Sequence, residues 1–440
     1  MGGPALTPEA QADLVRRAQA VLRANDRGTF TQPAPGQYPH QWNWDSALIA
    51  LGLAHFDLER ALLEIRSLLQ GQWRDGMVPH IVYHGGPSGY FPNAEFWQTE
   101  RSPAAPALPT SGLTQPPILA TIVRQLHERH SVPGFVREVL PALLAWHRWL
   151  HTTRAADETR LPCLVHPWES GTDDSPRWRR ALDRVQPADL PAYLRGDTAH
   201  VAGAERPHDH DYDRFVYLID QFRRRAYGPP AMLAQSPFLV QDVLFSSILH
   251  RADEDLSALM RAVAVPAEEV ETWLATVREQ FSRRFWDETA GLFFDYDVRA
   301  GQALRVTTAM TFAPLYGGLC SSRQAHRLID EHWSNPAEFA PGAALRYAVT
   351  TTSHGEAAWE PRRYWRGPVW INYNWLMLEG LRRYGFERQA DELRASSLAL
   401  IARAGFREYY DPRDGAGCGA HDFAWSAALA LELLSAPSGG

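Results

Sequence analysis

Two segments set acidic side chains between aromatic ones. Trp168–Trp178, WESGTDDSPRW, holds Glu169, Asp173 and Asp174 between two tryptophans. Phe406–Ala428, FREYYDPRDGAGCGAHDFAWSAA, places Glu408 beside Tyr409 and Tyr410, then a Gly-rich turn, then a helix capped by Asp422. Gly-Thr-Asp-Asp-Ser-Pro forms a turn by local chemistry, so an Asx-capped loop accounts for the first segment. A plain surface turn has no need of two flanking tryptophans, and a carboxylate site is the competing reading. DPRDGAG lacks the alternating oxygen ligands and closing Glu of an EF-hand and is not read as a calcium loop.

Three further segments combine aromatic and charged residues. Tyr38–Asp57 offers Tyr38, Trp42, Trp44 and Asp45 just before a helix. Asp45 is either the helix N-cap or a ligand for sugar hydroxyls. In Tyr364–Trp375, YWRGPVWINYNW, the spacing assigns Trp375 to a core. Trp365, Arg366 and Trp370 fall at a helix entrance and are assigned to a pocket. The densest charged cluster is Glu205–Tyr217, ERPHDHDYDRFVY. Its spacing matches no zinc or calcium pattern. Arg206, Tyr212 and Arg214 are instead suited to an anionic group, because a guanidinium matches carboxylate geometry.

Other chemistries lack their signatures. There is no glycine-rich phosphate loop and no GxSxG elbow. The three cysteines, Cys163, Cys320 and Cys418, are scattered and form neither a disulfide framework nor a zinc set. Net charge is −7, which gives no basic surface for nucleic acid or anionic membrane. All 44 basic side chains other than histidine are arginine. Aromatic residues, including 16 Trp, are abundant, and aromatic planes beside Asp, Glu and Arg suit the C–H faces and hydroxyls of a sugar. No signal peptide and no membrane-length apolar run is seen. A cytoplasmic location is expected, with a small-molecule substrate and an open question of homo-oligomerisation.

The elements that must position these residues are almost all helices. Thr7-Pro8 opens the first, with Leu14, Ala18, Val21 and Leu22 as its stripe. Asp57 caps another, and others begin near Gln115, Val132, Asp211, Pro237, Pro266, Ser321, Val369, Phe386 and Asp422. GLFFDYD, 291–297, is the one strand-like piece. About a dozen helices without a fixed period predict a closed α/α barrel of six helical hairpins rather than a solenoid. Residues 1–440 read as one catalytic domain, with no interdomain linker. Three long loops, 73–113, 166–206 and 333–364, read as pocket rims or lids.

Taken together, WNWDSALIALGL, WESGTDDSPRW, YWRGPVWINYNW and EYYDPRDGAGCGAHDFAWSAA resemble, in this order, glycoside hydrolase family 63 and its clan relatives. The resemblance covers most of the chain. It implies an (α/α)6 barrel and an inverting α-glycosidase that needs no metal or organic cofactor. The general acid of its ESGxDNSP motif falls on Asp173, and the general base of its ExYxPxxG motif falls on Glu408. This chain departs by having Asp174 where the family commonly has Asn. Inversion requires the two carboxyls to stand roughly 6.5–9.5 Å apart, leaving room for a water. The length resembles the short bacterial members that cleave mannose or glucose α-linked to glycerate. On that likeness Tyr38, Trp42, Trp44, Asp45, Gln115, Tyr364, Trp365 and Trp370 line the sugar subsite, and Arg206 and Tyr212 hold the glycerate carboxylate. Two alternatives are a trehalase-like hydrolase of a neutral α-linked disaccharide and a sugar-binding scaffold without catalysis.

Overall fold

A computed structural model describes residues 6–85 and 89–435. Residues 86–88, within the first long loop, and both chain ends lie outside it. Among the described residues, twelve helical stretches alternate between an inner and an outer ring. In chain order they are α1 (Pro8–Asn25), α2 (Asn43–Leu53), α3 (Leu58–Leu69), α4 (Leu119–His130), α5 (Pro133–Thr153) and α6 (Val243–Ala262). Then follow α7 (Glu268–Phe285), α8 (Ala313–Gly317), α9 (Ser322–Arg327, continued as a π-helix to Trp333), α10 (Ile371–Arg383), α11 (Glu387–Ala404) and α12 (Ala424–Ser435). The even-numbered helices pack in sequence, α2 on α4, α4 on α6, α6 on α8, α8 on α10 and α10 on α12, and α12 returns to α2. The ring is closed, and the odd-numbered helices cover it.

Residue pattern separates the two rings. Every residue of α2 is buried, as expected of a helix enclosed on all sides. In α1 only Leu14, Ala18, Leu22 and Asn25 are buried, a single stripe. Thr7 caps α1 by accepting from the Ala10 N–H, and Asp57 caps α3 by accepting from that of Arg60. Asp45 caps nothing. It lies in the first turn of α2, where Trp42 holds the N-cap position without a side-chain bond.

Glycines let the inner helices approach closely. A Cβ on Gly52 of α2 would fall well inside 3.0 Å of the Ala428 backbone in α12. One on Gly380 of α10 would lie 2.6 Å from the Tyr316 nitrogen in α8.

Sheet is sparse but exceeds the one expected hairpin arm. Asp295–Asp297 joins a four-stranded sheet with Cys163–Leu164, Val240–Gln241 and Gln302–Leu304. Arg407–Tyr410 and Gly417–His421 form an antiparallel hairpin, with Cys418 opposite Tyr409. The chain between α5 and α6 also contains the helix Asp209–Arg224, outside the ring. No helix among the described residues is long and apolar enough to cross a membrane.

Replacing Gly52 by Ala should force α2 and α12 apart. We expect a loss of about 1–3 kcal/mol, read as a lower midpoint in thermal unfolding followed by circular dichroism. An unchanged midpoint would show that the ring tolerates a wider seam.

Candidate active site

A cavity opens at the N-terminal ends of the inner helices. Trp42, Trp44 and Asp45 reach it from the start of α2, Gln115 from just before α4, Trp365 and Trp370 from before α10, and Phe423 and Trp425 from the start of α12. The segments between helices add His80, Tyr90, Trp168, Asp173, Asp197, Arg206 and Tyr364. Tyr212 comes from the helix Asp209–Arg224 and Tyr38 from the segment before α2.

Much of the wall is aromatic. Trp365 and Trp370 are stacked with centroids 3.9 Å apart, and Trp370 stacks on Tyr409 at 4.6 Å. Trp425 meets Trp44 edge-on at 5.6 Å, and Trp42 meets Tyr90 edge-on at 5.2 Å. Aromatic planes along such a wall suit the C–H faces of a sugar ring.

Glu408 projects from the hairpin into this space and is 1% exposed. Its Oε1 accepts from the Tyr38 hydroxyl at 2.7 Å and from Arg206 Nη1 at 3.0 Å. Its Oε2 accepts from Arg206 Nη2 at 2.8 Å and, across the hairpin, from the Ala420 N–H at 2.9 Å. Arg206 is itself 1% exposed, with its guanidinium 4.9 Å from the Tyr364 ring centroid and 5.7 Å from that of Tyr38. Its Nε has no acceptor in the protein. Arg206, expected at a substrate carboxylate, therefore has two of its nitrogens forked on Glu408 and one left over. Tyr212, expected beside it, packs under the guanidinium of Arg195 at 4.4 Å instead. Arg195 in turn forks on Asp197 at 3.0 and 2.7 Å.

Asp173 and Asp174 face opposite ways. Asp173 lines the cavity. Asp174 is 2% exposed, lies behind the wall, and accepts from Arg366 Nε at 3.2 Å. Burial pushes the Asp173 carboxyl up to about 8, helped by Asp174 and Asp197 and opposed by a backbone hydrogen bond and Arg206. Burial and the charge of Glu408 push Asp45 well above the usual carboxylate range. Burial takes His80 down to about 3, so its ring is uncharged.

All the expected site residues face this cavity except two arginines. Arg366 is turned onto Asp174 and Asp211, and Arg214 donates to Asp211 and the Val185 carbonyl. His80, Tyr90, Trp168, Asp197, Phe423 and Trp425 line the cavity without being expected there. Trp168, Phe423 and Trp425 lie inside the quoted segments and could have been added. Nothing in the spacing of His80 or Asp197 marks them. The carboxylates of the Glu205–Tyr217 cluster are bonded within the protein: Asp209 to Arg195, Asp211 to Arg179 and Arg214, and Asp213 to Tyr193.

A family model described as the mannosylglycerate hydrolase MGH1-like glycoside hydrolase domain matches residues 38–426. The chain is 46% identical to mannosylglycerate hydrolase of Thermus thermophilus, over 94% of this chain and 99% of that one. It is 37% identical to glucosylglycerate hydrolase of Mycolicibacterium hassiacum, over 98% and 99%. A crystal structure of a GH63 mannosylglycerate hydrolase from Thermus thermophilus, in complex with Tris and D-glycerate, superposes with a TM-score of 0.89. It is 45% identical and covers 95% of this chain and 99% of its own. A yeast neutral trehalase, 17% identical with a TM-score of 0.55 over 91% of this chain, shares the helical barrel fold.

Removing Arg206 leaves Glu408 as a buried charge without its cation. Arg206→Met should cost about 3–5 kcal/mol of stability, because breaking one side of a buried pair leaves the other unpaired. Chemical denaturation with urea measures it. A loss below about 1 kcal/mol would mean that the Tyr38 hydroxyl and the Ala420 N–H suffice.

Proposed function

The chain belongs to the mannosylglycerate hydrolase MGH1-like family of glycoside hydrolases, and we propose that it hydrolyses a hexose α-linked to glycerate with inversion at the anomeric carbon. The observation that carries the reading is a single aromatic cavity bearing two unlike carboxyls. Asp173 holds its proton near neutrality, and Glu408 is held by four hydrogen bonds.

Asp173, protonated, gives its proton to the glycosidic oxygen as the bond to the anomeric carbon breaks. Glu408, ionised, takes a proton from a water that attacks the opposite face. The cationic transition state gains from the charge of Glu408 and from the aromatic wall of the cavity. The carboxyl of Asp45 and the amide of Gln115, both in the cavity wall, are suited to sugar hydroxyls. That Arg206 and Tyr212 line the same cavity supports recognition of the glycerate carboxylate there, since a guanidinium and a phenol are both donors to a carboxylate. The segments 73–113, 166–206 and 333–364 are read as rims of this site, supported by their giving Tyr90, Asp173 and Tyr364 to its wall. Free thiols at Cys163, Cys320 and Cys418 support a reducing, cytoplasmic setting.

Because Arg206 is bonded to the base, its removal would harm hydrolysis of a neutral disaccharide too. Substrate class is therefore tested directly. Mannosylglycerate, glucosylglycerate and trehalose are offered in turn, and the nascent anomer is followed by proton NMR. We expect at least one of the two glycosylglycerates to be cleaved to β-hexose, and trehalose to be inert. Trehalose cleavage alone, or an α-hexose product, would overturn the reading.

Asp173→Asn should lower kcat by about 10²–10⁴-fold with little change in thermal midpoint. Glu408→Gln should lower kcat comparably and also lower the midpoint, because it leaves the buried Arg206 unpaired. Proton donation needs the acid form, so kcat/KM should fall as pH rises through about 8. A rate still climbing through that range would remove Asp173 from the role.

A further inference from the structure

Arg366 lies next to the cavity without lining it. Its Nε is 3.2 Å from Asp174 Oδ2, and its Nη2 comes no nearer than 3.6 Å to Asp211. Glu360, 40% exposed, stands 3.9 Å away. Asp211 already accepts from Arg179 at 2.8 and 3.0 Å and from Arg214 at 2.9 Å, with His210 3.4 Å off. Asp174 is less well supplied. Among the described residues Arg366 is the side chain that donates to it, and its second oxygen, Oδ1, is buried without a partner.

We propose that Arg366 is a positioning residue for proton donation: it acts through Asp174, keeping a buried negative charge behind Asp173, and does not touch the sugar. This rests on Asp173 being the general acid. Adjacent residues carry the two carboxyls, one toward the substrate and one away. A charge on Asp174 opposes the loss of a proton from Asp173. Without Arg366 the buried Asp174 has no bonded cation and only the unbonded charge of Arg363, which drives it toward its protonated form, so that opposition weakens.

Burial raises both carboxyls, with Arg366 and Arg363 opposing the rise at Asp174 and Asp211 adding to it. The other charges facing Asp173 are Asp197 and Arg206, neither bonded to Arg366.

The test is the alkaline limb of kcat/KM with mannosylglycerate or glucosylglycerate, whichever is turned over. Wild type, Arg366→Gln, Asp174→Asn and the double variant are compared. Both single variants should move the limb to lower pH by roughly half a unit or more, and the double variant should move it no further than Asp174→Asn alone. KM should change little. Asp174→Asn stands in if Arg366→Gln fails to fold, because it removes the same charge at constant shape. An unmoved limb in Asp174→Asn, a further shift in the double variant, or a rise in KM with no shift in Arg366→Gln would overturn the proposal. If Asp173→Asn keeps both its turnover and the limb, the acid assignment is at fault instead.

Discussion

The buried pair of Arg206 and Glu408 is the interaction around which the site is assembled. Taking both charges out of water is costly, and two ions alone seldom recover that cost. Here the carboxylate has two further donors, and the guanidinium lies beside two phenol rings. The neighbouring backbone is tied in as well. The Glu205 side chain accepts from the Gly419 N–H and from Arg362, and its carbonyl accepts from the Tyr409 hydroxyl. Arg363 donates to the Arg206 carbonyl. Three stretches distant in sequence, ending near 206, 364 and 421, thus meet at one ion pair. An all-arginine chain suits this, because a forked guanidinium fixes direction where an ammonium would not.

The two carboxyls proposed for catalysis differ in partners and in exposure, Glu408 being buried and Asp173 half-buried. Glu408 has a cation on both oxygens. Asp173 has other carboxylates nearby, Asp174 and Asp197, and they favour its proton. Burial is the larger cause of the rise at Asp173, and its acidic neighbours add to it.

Much of this was legible in the sequence. The helical ring follows from repeated apolar stripes without a fixed period, and the dense aromatic and acidic segments mark the cavity because they supply most of its wall. What stayed hidden depends on long-range pairing. Arg407–Tyr410 reads as the approach to a Gly-rich turn, and only its antiparallel partner makes it a strand. Arg206 and Arg366 both sit in charged or aromatic runs that suggest a ligand, yet each is turned onto a protein carboxylate from another segment. Local composition cannot say which of several nearby acids an arginine will choose. His80 and Asp197 carry no local signal because their place in the wall comes from the path of long loops.

The closure of the ring ties activity to the order in which the chain is made. α2, near the beginning, is completed by α12, whose glycine-lined seam with it depends on residues beyond 423. The hairpin bearing Glu408 immediately precedes that helix. On a ribosome, the proposed base and the last stave of the barrel emerge together, so an unfinished chain carries Asp173 but neither Glu408 nor a closed cavity. Such a fold gains its hydrolytic site in one late step and exposes the apolar flanks of its early helices until then.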